Sequence, residues 1–418
     1  MEKVLASIIT IGDELLIGQT IDTNSAWMAQ QLNEAGIWLH RRVAVGDTRE
    51  AILHALEQES KEAQIILVTG GLGPTADDIT KPVLCEYFHT SLVMHAETLE
   101  HVEQLSLRRG VPLLERNRAQ ALVPASCEVL PNGRGSAPGM WFEEEGKIYV
   151  SMPGVPHEMK GIMKQSVLPR LQQRFRTAAI LHRTLLTSGL GESFVAERLD
   201  AFERGLPPYI KLAYLPNYAL LRLRLTAIGD DAAPLQKELT ASFRQMQEIL
   251  ADIVVADEDI LLEAWVGQLL KQKGKTLATA ESCTGGYIAH LLTSVPGSSA
   301  YYKGTVVSYA NEIKQKVLGV DASLLQEQGA VSEAVVRQML QGVLQTMESD
   351  YAIAVSGIMG PDGGTPEKPV GTVWIAAGSR ESMLSRVFHL RYNREQNIII
   401  TAQHALNMLR RLLAEQKI

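Results

Sequence analysis

The first third of the chain alternates short apolar runs with segments whose apolar residues recur every three to four positions. Such runs are typical of buried strands, and the longer spacing is typical of amphipathic helices. The pattern predicts strands at Leu5–Ile11, 37–45 and 64–69, and helices at 23–35 and 49–61. This β-α-β-α-β order predicts an α/β domain with a doubly wound, mostly parallel sheet.

The pattern changes twice farther along the chain. After the first domain it predicts two strands and two helices, which form a small α+β domain. In the second of these strands Leu221, Leu223 and Leu225 alternate with arginines. This alternation indicates a sheet with one solvated face, and the alternative is contact with nucleic acid. A second α/β pattern follows. We predict an N-terminal domain at residues 1–176, a middle domain at 177–256 and a C-terminal α/β domain at 257–418.

Charge and cysteine content narrow the class of protein. The formal net charge of −7 argues against non-specific binding to nucleic acid or anionic membranes, which needs a concentrated basic face. The three cysteines are far apart and fit neither a disulfide framework nor a zinc site. The N-terminus resembles no signal peptide, and no apolar run is long enough to span a membrane. We therefore expect a cytoplasmic protein.

Three motifs in the C-terminal domain carry candidate chemistry. In the first, a predicted strand at 275–280 leads into Glu281, Ser282 and four further small or polar residues before a helix. This places Ser282 near a helix N-terminus, where free backbone N–H groups can hold a phosphate or a developing oxyanion. The alternative is that the serine and threonine of this motif only cap the helix.

The second motif places a lysine at the start of a helix. Asn311 follows a predicted strand and is the expected N-cap, so that Lys314 lies in the first turn. The helix dipole and burial would both lower the pKa of this lysine and supply a neutral amine as a base. The alternative is a solvated surface lysine. In the third motif two apolar strands flank a loop with four glycines between residues 357 and 364, which lets backbone N–H groups approach a phosphate or ribose.

Together these motifs resemble the C-terminal domain of the CinA family, which includes the nicotinamide mononucleotide deamidases called PncC. The resemblance rests on residues 280–286, 307–314, 329–332 and 356–372 and covers about 257–415. It implies hydrolysis of the carboxamide of nicotinamide mononucleotide to nicotinic acid mononucleotide and ammonia, without a cofactor. The expected substrate contacts are Thr284, Gly285, Gly286, Ser356, Gly357, Gly360, Gly363, Gly364 and Thr365.

The resemblance assigns the nucleophile to Ser282, assisted by Tyr309 and Lys314. Amide hydrolysis needs a nucleophile, a base to activate it, an oxyanion site and an acid for the departing ammonia. No histidine lies within these motifs, which favours a Ser–Lys over a Ser–His–Asp arrangement. Cys283 is the rival nucleophile. Met359 stands where we expect Ala in this family, and Asp362 where we expect Gly.

The N-terminal domain has a glycine-rich turn flanked by carboxylates. Residues 71–76 formally fit the dinucleotide pattern, but Asp77 and Asp78 follow at once and would repel a pyrophosphate unless a metal intervened. The turn therefore suggests metal-bridged phosphate binding, the alternative being that its carboxylates are turn or cap residues. The expected phosphate contacts are Gly70, Gly71, Gly73 and Thr75. Asp47 and Asp78 are the expected metal or catalytic carboxylates.

These N-terminal residues, with residues 132–139 and 152–159, resemble the MoaB/MogA-like molybdopterin-binding domain of CinA proteins. The resemblance implies an ADP-ribose pyrophosphatase that needs a divalent metal ion, a KH-like middle domain and a homodimer. We expect a bifunctional enzyme of pyridine-nucleotide salvage. One alternative combines the deamidase with an N-terminal domain that binds a nucleotide or molybdopterin without hydrolysis. Another is a non-enzymatic accessory protein of competence or recombination.

Overall fold

The computed structural model describes residues 3–75, 78–175 and 178–414. Ala76 and Asp77, the predicted domain boundary at 176/177 and the last four residues lie outside the described residues. The chain divides into two compact units, one of residues 1–181 with 227–237 and the other of residues 182–226 with 238–418. Within the described residues, no helix is long and apolar enough to cross a membrane.

The first unit contains the predicted α/β domain. Its strands are β1 (Leu5–Ile11), β2 (Trp38–Val45), β3 (Ile65–Thr69), β4 (Leu92–Met94), β5 (Leu122–Pro124), β6 (Glu128–Leu130), β7 (Gly139–Glu144) and β8 (Lys147–Met152). Its helices are α1 (Asp13–Leu16), α2 (Thr23–Glu34), α3 (Arg49–Glu62), α4 (Thr80–Tyr87), α5 (Ala96–Arg109), α6 (Glu115–Arg118), α7 (Pro156–Ile162) and α8 (Leu168–Arg174). A π-helical segment, Met163–Val167, joins the last two.

The main sheet of this domain has the strand order β2-β1-β3-β8-β7-β6. The strands β2, β1, β3 and β8 are parallel, and β7 and β6 are antiparallel to their neighbours. Every residue of β3 is buried, as its unbroken apolar run predicts, because one apolar core lies on each face of the sheet. The prediction of a doubly wound, mostly parallel sheet is confirmed.

The middle region forms a separate four-stranded sheet. Its elements are β9 (Ala179–Ser188), α9 (Glu192–Arg204), β10 (Ile210–Asn217), β11 (Leu220–Gly229), α10 (Ala232–Ile249) and β12 (Val254–Ala256), and the strand order is β10-β11-β9-β12. The sequence pattern predicted neither β10 nor β12. Leu221, Leu223 and Leu225 are buried as expected, while Arg222 is half-buried and paired with Asp259.

The C-terminal region forms a five-stranded sheet with the order β14-β13-β15-β16-β17. Its elements are α11 (Leu262–Lys273), β13 (Leu277–Glu281), α12 (Tyr287–Thr293), β14 (Tyr302–Val307), α13 (Asn311–Leu318), α14 (Ala322–Gln328), α15 (Glu333–Thr346), β15 (Tyr351–Gly357), β16 (Thr372–Gly378), β17 (Met383–His389) and α16 (Arg394–Leu413). The strands β14, β13 and β15 are parallel, so their carboxyl ends meet at one edge. The three motifs follow these ends directly.

The core of this region lies on both faces of the sheet. One apolar cluster contains residues of α11 and α16, and another contains residues of α15 together with Leu318 at the end of α13. Residues of β13 and β15 belong to both clusters, as expected for strands with helices on both faces. The first cluster also includes Leu186, Leu220 and Val255 of the middle region.

Candidate active site

The three C-terminal motifs meet at one small cavity of about 210 Å³. It lies at the carboxyl ends of the three parallel strands, where ligands of open α/β sheets commonly bind. Its lining residues are Ser282, Cys283, Tyr309, Asn311, Lys314, Ala330, Val331, Ser356, Gly357, Met359 and Arg394. The fold thus brings together residues that lie more than 100 positions apart in the sequence.

Ser282 is held in place by hydrogen bonds of its backbone, and none of the described residues bonds to its hydroxyl. Its N–H donates to the carbonyl of Val355 (3.1 Å), and its own carbonyl accepts from the N–H of Gly285 (3.1 Å). The side chain is 8% exposed. Among the residues that the structure describes, its hydroxyl has no hydrogen-bond partner, whereas the neighbouring Thr284 donates to Glu281. This hydroxyl is therefore available to a ligand in the cavity.

Cys283 follows Ser282 but lies in a different environment. Its side chain is 6% exposed, and burial raises the pKa of the thiol to about 12. Because the thiolate is the nucleophilic form of cysteine, a thiol that stays protonated near neutral pH is a poor nucleophile. The environment of Cys283 thus favours Ser282 over its rival.

Lys314 is almost completely buried, at 1% exposure. Its Nζ donates to the backbone carbonyls of Ser308 (2.7 Å) and Tyr309 (3.2 Å). Burial lowers the pKa of Lys314 below its ordinary value, the direction expected from the sequence. The predicted N-cap at Asn311 is wrong, because Ala310 occupies that position and Asn311 begins the helix and lines the cavity.

Tyr309 and Arg394 form the exposed side of the cavity. Tyr309 is 61% exposed, and its hydroxyl accepts a hydrogen bond from Arg394 Nη2 (2.9 Å). Arg394 Nη1 donates to the carbonyl of Gly360 (2.8 Å). Our reading of the sequence missed Arg394. The available signal was its place as the first residue of α16, since a cation is unfavourable at a helix N-terminus unless it has another role.

The glycine loop folds largely upon itself. Ser356 and Gly357 line the cavity, and Ser356 Oγ donates to the carbonyl of Ala330 (2.8 Å). Gly363 and Gly364 lie farther along the loop, where Thr365 Oγ1 accepts from the N–H of Lys368 (3.1 Å) and closes a turn. The Met359 side chain is buried in the core, so its bulk does not project into solvent.

The expectation of free N–H groups at the start of α12 is wrong for Gly286, Ile288 and Ala289. The carboxylate of Glu281 accepts hydrogen bonds from all three. It also accepts from the hydroxyl of Thr284, so Thr284 and Gly286 serve the local structure. Glu281 stands in the first motif, but we assigned it no role from the sequence.

The predicted N-terminal site also lies at the carboxyl ends of parallel strands. Gly70 and Gly71 follow β3 with φ values of +115° and +63°. A Cβ on Gly70 would lie 2.2 Å from the carbonyl oxygen of Ile11, so only glycine fits there. Asn24 Nδ2 donates to the carbonyl of Gly154 (2.7 Å) and links the start of α2 to the segment after β8.

The carboxylates of this site accept hydrogen bonds from backbone N–H groups. Asp78 accepts from the N–H of Gly73 (2.7 Å) and from the N–H (2.9 Å) and hydroxyl (2.5 Å) of Thr75. Asp47 accepts from the N–H of Asp13 (3.0 Å), and Asp13 accepts from that of Asp47 (3.2 Å). Within residues 3–75, 78–175 and 178–414, no three His, Cys, Asp or Glu side chains form a group that could hold a metal ion. The metal ion expected at Asp47 and Asp78 stays a prediction.

Three family models match the chain in order. The model described as "Probable molybdopterin binding domain" matches residues 7–173, and "Damage-inducible protein CinA KH domain" matches residues 182–256. "CinA C-terminal domain" matches residues 260–413. These matches include both candidate sites.

Full-length relatives decide the family. A CinA-like protein of Cytophaga hutchinsonii is 48% identical over 414 residues, which is 99% of each chain. This chain belongs to the CinA family. A CinA-like protein of Flavobacterium psychrophilum is 43% identical over 97% of each chain. The solved structure of the competence/damage inducible protein CihA of Agrobacterium tumefaciens is 38% identical, covers 37% of this chain and 93% of that chain, and has a TM-score of 0.36.

The family assignment confirms the resemblance inferred from the sequence. The CinA C-terminal match spans every lining residue of the cavity at Ser282, and the molybdopterin-binding match spans the glycine turn with Asp47 and Asp78. CinA membership itself assigns no role to any of these residues. Their roles stay predictions.

Proposed function

We propose that this CinA-family protein hydrolyses the carboxamide of nicotinamide mononucleotide and so acts in pyridine-nucleotide salvage. The observation that carries the proposal is that Ser282 and the buried Lys314 line the same cavity, and that none of the described residues bonds to the Ser282 hydroxyl. A serine activated by a neutral lysine is a known arrangement for acyl transfer. The choice of substrate comes from the family resemblance.

In the proposed first step the Ser282 hydroxyl attacks the carboxamide carbon while the neutral amine of Lys314 accepts its proton. The oxyanion that forms needs N–H donors in the turn after Ser282. Among the described residues, the N–H groups of Cys283 and Thr284 have no carbonyl or carboxylate acceptor, and we assign them this role. The carbonyls of Ser308 and Tyr309 then stabilise the ammonium form of Lys314.

In the second step the carbon–nitrogen bond breaks and the leaving amine takes a proton to depart as ammonia. We propose that Tyr309 relays this proton from Lys314 to the leaving amine. The guanidinium of Arg394 donates a hydrogen bond to the phenol oxygen of Tyr309, which makes the phenol O–H a better donor. Water then attacks the ester on Ser282, again with Lys314 as the base. This releases nicotinic acid mononucleotide and restores the serine.

The deciding experiment measures ammonia release from nicotinamide mononucleotide by the purified full-length protein with a chelator present. We expect equal amounts of ammonia and nicotinic acid mononucleotide. Absence of both products would reject the proposal and favour the accessory role in competence or recombination. Free nicotinamide and glutamine are the control substrates, because neither carries the ribose phosphate of the proposed substrate.

For the first unit, we propose binding of a nucleotide or molybdopterin-type ligand at the glycine turn. The specific observation is that both oxygens of Asp78 hold the turn, which favours binding over hydrolysis through a metal. The alternative stays a metal-dependent ADP-ribose pyrophosphatase. Release of AMP from ADP-ribose on adding Mg²⁺, Mn²⁺ or Co²⁺ would support that alternative. Calorimetric binding of ADP-ribose without metal and without turnover would support ours.

A further inference from the structure

Glu281 carries a buried carboxylate that the proposed reaction does not use. It is the last residue of β13, directly precedes Ser282 and is 0% exposed. Its Oε2 accepts from the hydroxyl of Thr284 (2.7 Å) and from the N–H groups of Gly286 and Ile288 (3.1 Å each). Its Oε1 accepts from the N–H of Ala289 (2.8 Å) and from the hydroxyl of Thr279 (3.4 Å). One side chain thus holds both the turn after Ser282 and the start of α12.

We propose that Glu281 is a positioning residue that fixes the Ser282 hydroxyl relative to Lys314. This inference rests on the proposed function. The turn contains Gly285 and Gly286 in left-handed conformations, at φ values of +61° and +99°. Glycine permits this shape but does not enforce it, since it is the most flexible residue. The bonds to Glu281 supply the constraint that the glycines lack.

The backbone of Glu281 extends the constraint to the base. Its carbonyl accepts from the N–H of Ser308 (2.8 Å), and the carbonyl of Ser308 in turn accepts from Lys314 Nζ (2.7 Å). A single residue is therefore connected through its side chain to the turn of the nucleophile and through its backbone to the peptide that holds the base. A shift of Glu281 would change the separation of the two reacting groups.

The donors around Glu281 suit a carboxylate and do not suit an amide. An ionised carboxylate only accepts hydrogen bonds, and all of its partners here are donors. In Glu281→Gln the amide nitrogen would face either the N–H of Ala289, beside the Thr279 hydroxyl, or the three donors at Oε2. One side of the anchor would then be repulsive, although the side chain keeps its size and still fills the same space.

We expect Glu281→Gln to lower kcat for nicotinamide mononucleotide by about 10- to 100-fold and to change KM by less than about threefold, because misplaced reacting groups slow the chemical step. Thr284→Val removes one donor at nearly constant volume and should lower kcat by about two- to tenfold. The pH profile of kcat/KM should keep its shape in both variants, since Lys314 remains the titrating base.

Asp350→Asn is the matched control. Asp350 accepts from the N–H (2.8 Å) and the hydroxyl (2.7 Å) of Thr276 just before β13, at the opposite end of the strand from Ser282. This variant also weakens a carboxylate anchor on β13 but does so far from the cavity. We expect it to lower the unfolding temperature while kcat stays within about twofold of the wild type.

The test also follows phosphonylation of Ser282 by a fluorophosphonate probe, a reaction that needs no nucleotide. We expect the labelling rate to fall in parallel with kcat in Glu281→Gln. A folded Glu281→Gln enzyme with wild-type kcat and labelling would overturn the proposal. If that variant does not fold, wild-type kcat and labelling in Thr284→Val would overturn it equally. A wild-type protein that is labelled but releases no ammonia would reject the substrate, and the labelling rates of the variants would still judge Glu281.

Discussion

The two glycine-rich sites of this protein lie at equivalent edges of two parallel-stranded sheets and use their polar side chains differently. At the C-terminal site a carboxylate, Glu281, holds the turn, and the Ser282 hydroxyl has no partner among the described residues. At the N-terminal site Asp78 holds the turn itself through Gly73 and Thr75. Asp78 therefore corresponds in its contacts to Glu281 and not to Ser282.

This difference shows how a functional side chain can be told from a supporting one in a glycine turn. Buried or crowded backbone N–H groups must find acceptors, and in both of these turns a nearby carboxylate supplies them. An acid that accepts two or three such bonds has fewer lone pairs left for a metal ion. The side chain without a partner, beside a buried lysine, is the better candidate for chemistry.

Removing the nucleophile should have the largest effect. We expect Ser282→Ala to lower deamidation by at least about 1,000-fold, because the Cys283 thiol stays protonated and the Ser356 hydroxyl is bound to the carbonyl of Ala330, so neither replaces the Ser282 hydroxyl. Cys283→Ala should keep activity within about threefold, because burial raises the pKa of that thiol and keeps it protonated. Ammonia release under single-turnover conditions measures both. An active Ser282→Ala together with an inactive Cys283→Ala would move the nucleophile to Cys283.

Replacing Lys314 should have the next largest effect and lower the rate of deamidation by about 100- to 1,000-fold. The active form of this base is the neutral amine, whose fraction rises with pH. Burial lowers the pKa of Lys314, so kcat/KM should rise with pH through a group whose pKa lies below the ordinary lysine value of about 10.4. A pH series from 5 to about 10 on the wild type measures this limb.

Lys314→Arg distinguishes a lysine that accepts a proton from one that only supplies positive charge. A guanidinium keeps the positive charge but cannot accept a proton in this range, so we expect it to be as inactive as Lys314→Ala. Lys314→Met is the control for volume, since it keeps an unbranched side chain of similar length and removes the amine. Substantial activity in Lys314→Arg would reduce the lysine to an electrostatic role and leave Tyr309 as the next candidate for the base.

The sequence was sufficient for the fold class and for most of the C-terminal site. Apolar runs identified the buried strands, and because parallel strands end at one edge, Ser282, Tyr309, Lys314 and Ser356 could be expected to meet there. What it could not predict was which donors each carboxylate satisfies. That depends on backbone geometry over several residues, so no role was expected for Glu281, and the bonds of Asp78 to Gly73 and Thr75 were not foreseen. Arg394 was missed because it reaches the cavity from a helix 85 residues beyond Tyr309.

Asp78→Asn tests the N-terminal site and should weaken the binding of ADP-ribose by about tenfold, an effect between those at Lys314 and those of truncation. If Asp78 anchors the turn, its loss weakens binding of ADP-ribose to the same degree with and without divalent metal, and lowers the unfolding temperature of the first unit. Calorimetric titrations with EDTA and with Mg²⁺ separate these cases. A loss confined to the metal-containing titration, or a loss of metal-stimulated AMP release of about 100-fold, would return Asp78 to the metal role.

The smallest effect on catalysis should come from removing everything before residue 257. All lining residues of the cavity belong to the C-terminal region, so a 257–418 fragment should keep kcat within about threefold.

Its stability should fall, however, because Leu186, Leu220 and Val255 belong to the apolar cluster of α11 and α16, and truncation exposes that surface. Asn407 Nδ2 also loses its bond to Ser188 Oγ (3.1 Å). Unfolding temperatures and kcat of fragments that begin at residues 257 and 178 measure the two contributions separately. Asn407→Ala in the full chain removes this bond and the one that Asn407 Oδ1 accepts from Arg410 Nε (2.9 Å), so it should cost about 2 kcal/mol of unfolding free energy, at about 1 kcal/mol for each hydrogen bond. A 257–418 fragment that is as stable as the longer one would make the middle region a separate domain, whereas a folded fragment without activity would make that region part of the deamidase.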